Sequence, residues 1–463
     1  MQLSHTSAAT TAIFDDPNLV SAAGLVPAAK LAENVGLHAL ADRHLTVPTD
    51  KGTNAGAKVS SLVAGMVAGA DSIDDMAVLR HGGTGKVFTG RYAPSTLGSF
   101  LRKFAFGHVR QLDAVASRVL TNLGIQAPLL VREPGEYVYV DVDDTIVEVH
   151  GHQKQGSGYG YSGVRGLNAQ LATVTTTGSA PVIVAQRLRK GSTGSSRGAA
   201  RLIADALATT GRLEGTTGAR ILVRADSAYY GHAAVQAAIT GGAEVSVTVR
   251  MDRRVKKAIA AIDDDAWQTI KYTDAVYDED TGAWISTAEV AKIDYTAFTS
   301  KKKSQHVPGR LVVRRIPELN PKNMDQPTLF DTHRFHAFFT TSDLDTVTAD
   351  QTHRAHAVIE QVNADLKDSA LAHLPSGKFN ANAAWLVLAV IAFNLTRAAA
   401  TLAGAGLSKA TTGTIRRKLI SVPARIASSA RRVTLHLPLE WPWESAWMNL
   451  FTAVNGPPQI AAA

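Results

Sequence analysis

The hydrophobic period of this chain changes at one place, near Glu136, and that change restricts the fold class more than any other feature. From about Asn18 to Leu123, apolar residues recur at spacings of three and four (Leu62, Val63, Met66, Val67; Leu97, Phe100, Leu101, Phe104), with Gly or Pro between segments. That pattern predicts helices and carries no strand signal. At Glu136 the period becomes two: Tyr137, Tyr139, Asp141 and Asp143 alternate with Val138, Val140 and Val142, and the run stops at Asp144-Thr145. Side chains alternate across a strand, so both odd-numbered aspartates point the same way.

The following segments set the order of the sheet. A Gly-rich loop (Gly156 to Gly166) leads into Leu171 to Thr177, the turn Gly178-Ser179-Ala180-Pro181, and Val182 to Leu188, an antiparallel meander. Ala199 to Thr210 reads as a helix, Arg220 to Ala225 as a short strand ending on Asp226, and His232 to Thr240 and Glu244 to Val249 as helix and strand. The order βββαβαβ, with one carboxylate on the first strand and another ending the fourth, is the RNase-H-like order. From about Met251 to Thr332 the chain is polar, with short β-prone pieces and the run Lys301-Lys302-Lys303, which predicts a β-rich insertion. Phe335 to Thr341 returns to strand, Gln351 to Ala370 is predicted as one helix, and Ala381 to Leu402 as a buried apolar helix. The expected class is α/β, an RNase-H-like mixed sheet with a β-rich insertion, a helical N-terminal region and a basic helical C-terminal region. The expected divisions are 1–130, 131–250, 251–333, 334–400 and 401–463.

Composition narrows the chemistry. Lys and Arg number 48 against 40 acidic residues, a net charge of +8 that favours polyanionic partners. There is no Cys, which excludes disulfides, thiolate metal sites and cysteine nucleophiles. Any metal must then sit on oxygen or imidazole. The apolar run Ala383 to Phe393 is shorter than the roughly 18 to 20 residues that span a bilayer, and Met1 to Thr11 lacks the pattern of a signal peptide, so no membrane and a cytoplasmic location are expected.

Phosphodiester cleavage by two metals needs carboxylates from separate elements converging on ions about 4 Å apart. Asp143 and Asp144 close an apolar strand, where a carboxylate serves either a site or ordinary Asp-Asp-Thr turn chemistry. Asp226 ends the next such strand and is either a site residue or a cap for the helix near His232, from which Tyr229-Tyr230-Gly231 separate it. Glu360 shares one helical face with His353, His356, Asn363 and Lys367. That face is either a site or a solvated polar stripe. On the same helix Asp365 lies about 140° from Glu360, at roughly 100° per residue.

Together these residues resemble the DDE transposases of bacterial insertion sequences, in the branch with a β-strand insertion before the Glu. Val140-Asp141-Val142-Asp143-Asp144-Thr145 is similar to the family's Asp-x-Thr strand, and Arg224-Ala225-Asp226-Ser227 to its Arg-x-Asp-Ser. His353-x2-His356-x3-Glu360-x6-Lys367 is similar to the signature Tyr-x2-Arg-x3-Glu-x6-Lys, with His at both upstream positions. The resemblance implies Asp143, Asp226 and Glu360 as the catalytic triad on two Mg²⁺ or Mn²⁺ ions, with Asp141 and Thr145 supporting it. It implies DNA contacts from His353, His356 and Lys367, from Lys301, Lys302 and Lys303, and from Trp267 or Trp284 stacking on an extruded base. It further implies a homodimer on double-stranded DNA, acting at the terminal inverted repeats of its element and on target DNA, by cut-and-paste, in the bacterial nucleoid. A stand-alone metal-dependent nuclease and an inactive DNA-binding descendant are the rival readings.

Overall fold

The computed structural model describes residues 4, 9–48, 50–151, 153–278, 283–317, 333–404, 406–429 and 432–456, with 272–276, 278 and 283–286 by backbone alone. Helices fill the N-terminal region as the period demands: α1 (Leu25–Asn34), α2 (Leu37–His44), α3 (Ala55–Ala68), α4 (Pro94–Leu101) and α5 (Phe106–Gln126). The sheet follows as β1 (Val138–Glu148), β2 (Arg165–Thr175), β3 (Val182–Lys190), α6 (Ala199–Thr210), β4 (Ile221–Ala225), α7 (His232–Thr240) and β5 (Glu244–Thr248). β1 pairs antiparallel with β2 and parallel with β4, β2 pairs antiparallel with β3, and β4 pairs parallel with β5. The spatial order is therefore β3-β2-β1-β4-β5, the RNase-H-like arrangement. Val138, Val140 and Val142 are fully buried, as expected of a central strand covered on both faces.

The insertion does not form a separate sheet. β6 (Gln268–Asp278), β7 (Ala283–Ala297), β8 (Val307–Pro317) and β9 (His333–Thr340) run antiparallel to one another. β9 joins the edge of β5, with Phe339 opposite Val247, so the core sheet continues into one of ten strands. An open edge on β5 would leave unpaired backbone groups, and the insertion covers it. The Gly-rich loop is also partly ordered: Gly158–Tyr159 pairs with Arg165 and Gly166 of β2. A Cβ at Gly191 would sit 2.1 Å from the Gly166 carbonyl oxygen, so only glycine allows that crossing.

Past the sheet come α8 (Thr346–Arg354), α9 (Val358–Lys367), α10 (Phe379–Ala403) and α11 (Glu444–Asn455). The single helix expected over Gln351 to Ala370 is interrupted by a 3₁₀ turn at Ala355–Ala357. His353 precedes that turn, at the end of α8, and His356 lies within it. α10 has the length and hydropathy of a bilayer span, yet 89% of that stretch is buried inside the protein. It packs on α3, α5 and β3, and its Asn394 side chain bonds both the N–H and the C=O of Ile183 in β3. The N-terminal helices and the sheet thus share one hydrophobic core. The C-terminal region adds to its helices a hairpin, Ala424–Ser429 with Arg432–His436, whose first strand pairs with Leu19–Val20.

Candidate active site

Register explains which side chains meet. Asp141 lies opposite Arg224, and Arg224 opposite Ser246, so the odd positions of β1 and the even positions of β4 and β5 share a face. In the middle of that face Arg224 donates from Nε and Nη2 to the two Asp141 oxygens, each at 2.7 Å. His356 Nδ1 lies 2.9 Å from Asp141 Oδ1, and Arg224 also reaches the Thr352 carbonyl at 2.7 Å. Burial works to raise the Asp141 pKa, but the Arg224 charge and the His356 hydrogen bond outweigh it and hold the carboxyl below its ordinary value.

One step past Val142–Ala225, the last pair of the parallel ladder, come Asp143 and Asp226: Asp226 follows the end of β4, whereas Asp143 lies within β1, which runs on to Glu148 instead of stopping at Asp144-Thr145 as expected. Among the described residues no guanidinium meets either. Burial pushes Asp143 up to about 6, with the charges of Asp144 and Asp226 adding to it against the Asp144 backbone N–H and His356. Asp226 is also raised, chiefly by burial of its inner side, although its Oδ1 accepts the Ala228 N–H at 3.0 Å and His356 opposes the shift. The cap expected of Asp226 does exist, but on the 3₁₀ turn Ser227–Tyr229 rather than on the helix at His232.

α9 lies against β1 and presents a stripe to this end of the sheet. Asn363 Nδ2 donates to Asp143 Oδ2 at 2.8 Å, and Lys367 Nζ to Thr145 Oγ1 at 3.2 Å. Glu360 stands between His356 and Asn363 on that stripe, exposed to solvent. Asp365 is turned away and buried, accepting the Thr412 N–H at 3.0 Å, which removes it as a rival to Glu360. The apolar side that seats the helix is Ile359, Val362 and Leu366, whereas Ala357 is exposed and Val358 half-buried.

Several expected DNA contacts are placed otherwise. His353 is drawn inward: its Nδ1 and Nε2 each lie 2.9 Å from the Ser246 and Thr248 hydroxyls of β5, and its ring stacks on Phe338 at 4.0 Å. With both nitrogens and one face engaged, it has nothing to offer a phosphate. His356 likewise turns to Asp141. Trp267 packs edge-on against Phe335 with the Arg315 guanidinium 4.2 Å over its ring, so no base can stack on that face. The side chain of Trp284 lies outside the described residues. Lys301, Lys302 and Lys303 are exposed between β7 and β8, in a turn whose Phe298 stacks on Tyr230, four residues past Asp226.

Arg224 enters the sequence reading only inside the Arg-x-Asp-Ser motif, with no role of its own, while Asn363 and Asp144 are named there without their partners. On the opposite face Asp144 accepts from Arg189 Nη2 at 2.6 Å, from Asn168, and from the Tyr229 hydroxyl at 3.0 Å. Tyr229 follows Asp226 closely, so this contact ties the Asp226 loop to β1.

The donor set suits a hard divalent cation. Asp143, Asp226, Glu360 and Asn363 offer only oxygen ligands, and the two aspartates are raised as carboxylates lacking a counter-charge are. Among the described residues no three His, Asp or Glu side chains close around one point, Glu360 standing at the rim. No curated protein matches the sequence. The family model described as transposase DDE domain group 1 matches residues 5–457, nearly the whole chain. The chain belongs to the DDE transposases.

Proposed function

We propose that this transposase cleaves DNA at the terminal inverted repeats of an insertion sequence and joins the freed 3′ ends to target DNA, with Asp143, Asp226 and Glu360 as its catalytic carboxylates. The observation that carries the reading is the contrast along one face: Asp141 is fully neutralised by Arg224 and His356, whereas Asp143 and Asp226, one step on, are not. Asp143, Asp226 and Glu360 would hold two Mg²⁺ or Mn²⁺ ions, which when bound stabilise charge on the attacking and leaving oxygens of a phosphodiester. The chain's own groups set the stage for that chemistry. The Asp141–Arg224–His356 cluster fixes the spacing of β1, β4 and the turn before Glu360, and Asn363 fixes the Asp143 carboxylate. Lys367, at the open end of the stripe, meets a phosphate flanking the scissile bond, and Lys301 to Lys303 meet phosphates further along. Cut-and-paste excision by a homodimer on paired ends, in the bacterial cytoplasm, completes the proposal.

The test uses the full chain and a linear DNA carrying its element's ends, sequenced from the genomic flanks. Nicking at the repeat boundary that needs Mg²⁺ or Mn²⁺, and is lost with scrambled ends, is the expected result. Cleavage indifferent to end sequence would favour a stand-alone nuclease, and binding without cleavage an inactive descendant.

A further inference from the structure

One helical turn past Glu360 lies a polar group that the mechanism above leaves half used. Asn363 is only 6% exposed, and its Nδ2 donates to Asp143 Oδ2 at 2.8 Å. The Oδ1 of the same carboxamide is buried and has no hydrogen-bond partner. Turning the amide over does not rescue it, because Oδ1 would then face a carboxylate oxygen, acceptor against acceptor. Buried oxygens of this kind are rare in native interiors, and where they persist they await a water, an ion or a ligand.

We propose that Asn363 is an uncharged oxygen donor to the divalent ion of this site, reaching it directly or through one of its water ligands. This rests on the assignment of Asp143 as a ligand. Carboxamide and carbonyl oxygens suit Mg²⁺ and Mn²⁺ as carboxylates do, and Mg²⁺ keeps several of its waters in protein sites. A neutral donor fits the position, since Asp143, Asp226 and Glu360 already bring three negative charges to one end of the sheet. The two ends of the side chain then have separate tasks: Nδ2 holds the Asp143 carboxylate in place, and Oδ1 completes the shell of the ion.

Mn²⁺ binding to the full chain without DNA, read from the electron paramagnetic resonance of free Mn²⁺, separates those tasks. Thermal unfolding in EDTA checks that each variant folds. Asn363→Ala and Asn363→Leu should each weaken Mn²⁺ binding about 10-fold or more. Asn363→Asp keeps an oxygen but loses the Nδ2 donor, and should bind Mn²⁺ at least as tightly as the wild type while unfolding at a lower temperature in EDTA. Wild-type affinity in Asn363→Leu overturns the proposal. So does a loss in Asn363→Asp as large as in Asn363→Ala, which would assign the effect to Nδ2 alone. Asp143→Asn is the control for the underlying assignment. Unchanged Mn²⁺ binding in that variant sinks the metal reading of Asp143 itself, whereas a loss there with none in Asn363→Leu sinks only the role of Asn363.

Discussion

The middle and the carboxyl end of the β1–β4 pair are built from the same residue types on the same face, yet they treat charge in opposite ways. In the middle, Asp141 is fully buried and met by a bidentate Arg224 and by His356, so every lone pair of consequence has a partner. Two residues on, Asp143 has only the Asn363 amide and the Asp144 backbone N–H as donors and two carboxylate neighbours, and its pKa is pushed up to about 6 by burial. The first arrangement is complete within the protein and serves to hold strands and helix together. The second is met by no guanidinium among the described residues and is the one proposed above to take divalent ions. On that proposal, position along a strand, rather than residue type, divides structural acid from site acid.

The largest expected effect breaks the comparison at its functional end. Asp143→Asn should lower end cleavage by on the order of 10³-fold or more, while its metal-free thermal midpoint stays level or rises, because the change relieves an uncompensated charge. A variant that cleaves normally, or one that unfolds readily, would merge the two regions into one.

Asp141→Asn should do the reverse. Leaving Arg224 buried without its bidentate partner costs about 3–5 kcal/mol, visible as a large drop in the urea midpoint, with catalysis lost only through the fold. If Asp141→Asn were as stable as the wild type but unable to cleave, Asp141 rather than Asp143 would be the site acid.

A smaller effect sharpens the same line through His353, which belongs to the completed region. Burial lowers its pKa to about 3, so the folded protein keeps it neutral while the unfolded chain takes up a proton below its ordinary value of 6.5. Its share of stability is therefore intact above about pH 6.5 and is lost as pH falls towards 3, by about 2 kcal/mol between pH 7.5 and pH 5. Unfolding at those two pH values, in the wild type and in His353→Asn, should show a shallower dependence in the variant. Equal slopes would mean that His353 is open to solvent and free for another role.

The sequence carried the parts of this account that depend on period and on strand ends. Val138, Val140 and Val142 announced a buried strand, and Asp226 was visible as the residue that follows a second one; the end read at Asp144-Thr145 was misplaced, because β1 continues to Glu148 in its antiparallel pairing with β2. What it did not carry depends on register between distant segments. Nothing near Asp141 says that Arg224 will lie opposite it, and nothing near His353 says that Ser246, Thr248 and Phe338 will enclose its ring. Nothing near Trp267 says that Arg315 and Phe335 will lie against its ring. The helical face through Glu360 was read with a single period, whereas the 3₁₀ turn at Ala355–Ala357 divides it: His353 serves β5, and the stripe from His356 onward serves β1.

The central claim is that this stripe delivers Glu360 to the two aspartates, and Glu360→Gln tests it most directly. The substitution keeps the size of the side chain, and Glu360 is exposed, so folding and binding to element ends should match the wild type. Mg²⁺-dependent nicking at those ends, followed on the same DNA with equal amounts of bound protein, should disappear. Nicking by Glu360→Gln at a rate near that of the wild type would contradict the account and return Glu360 to the solvated surface of its helix.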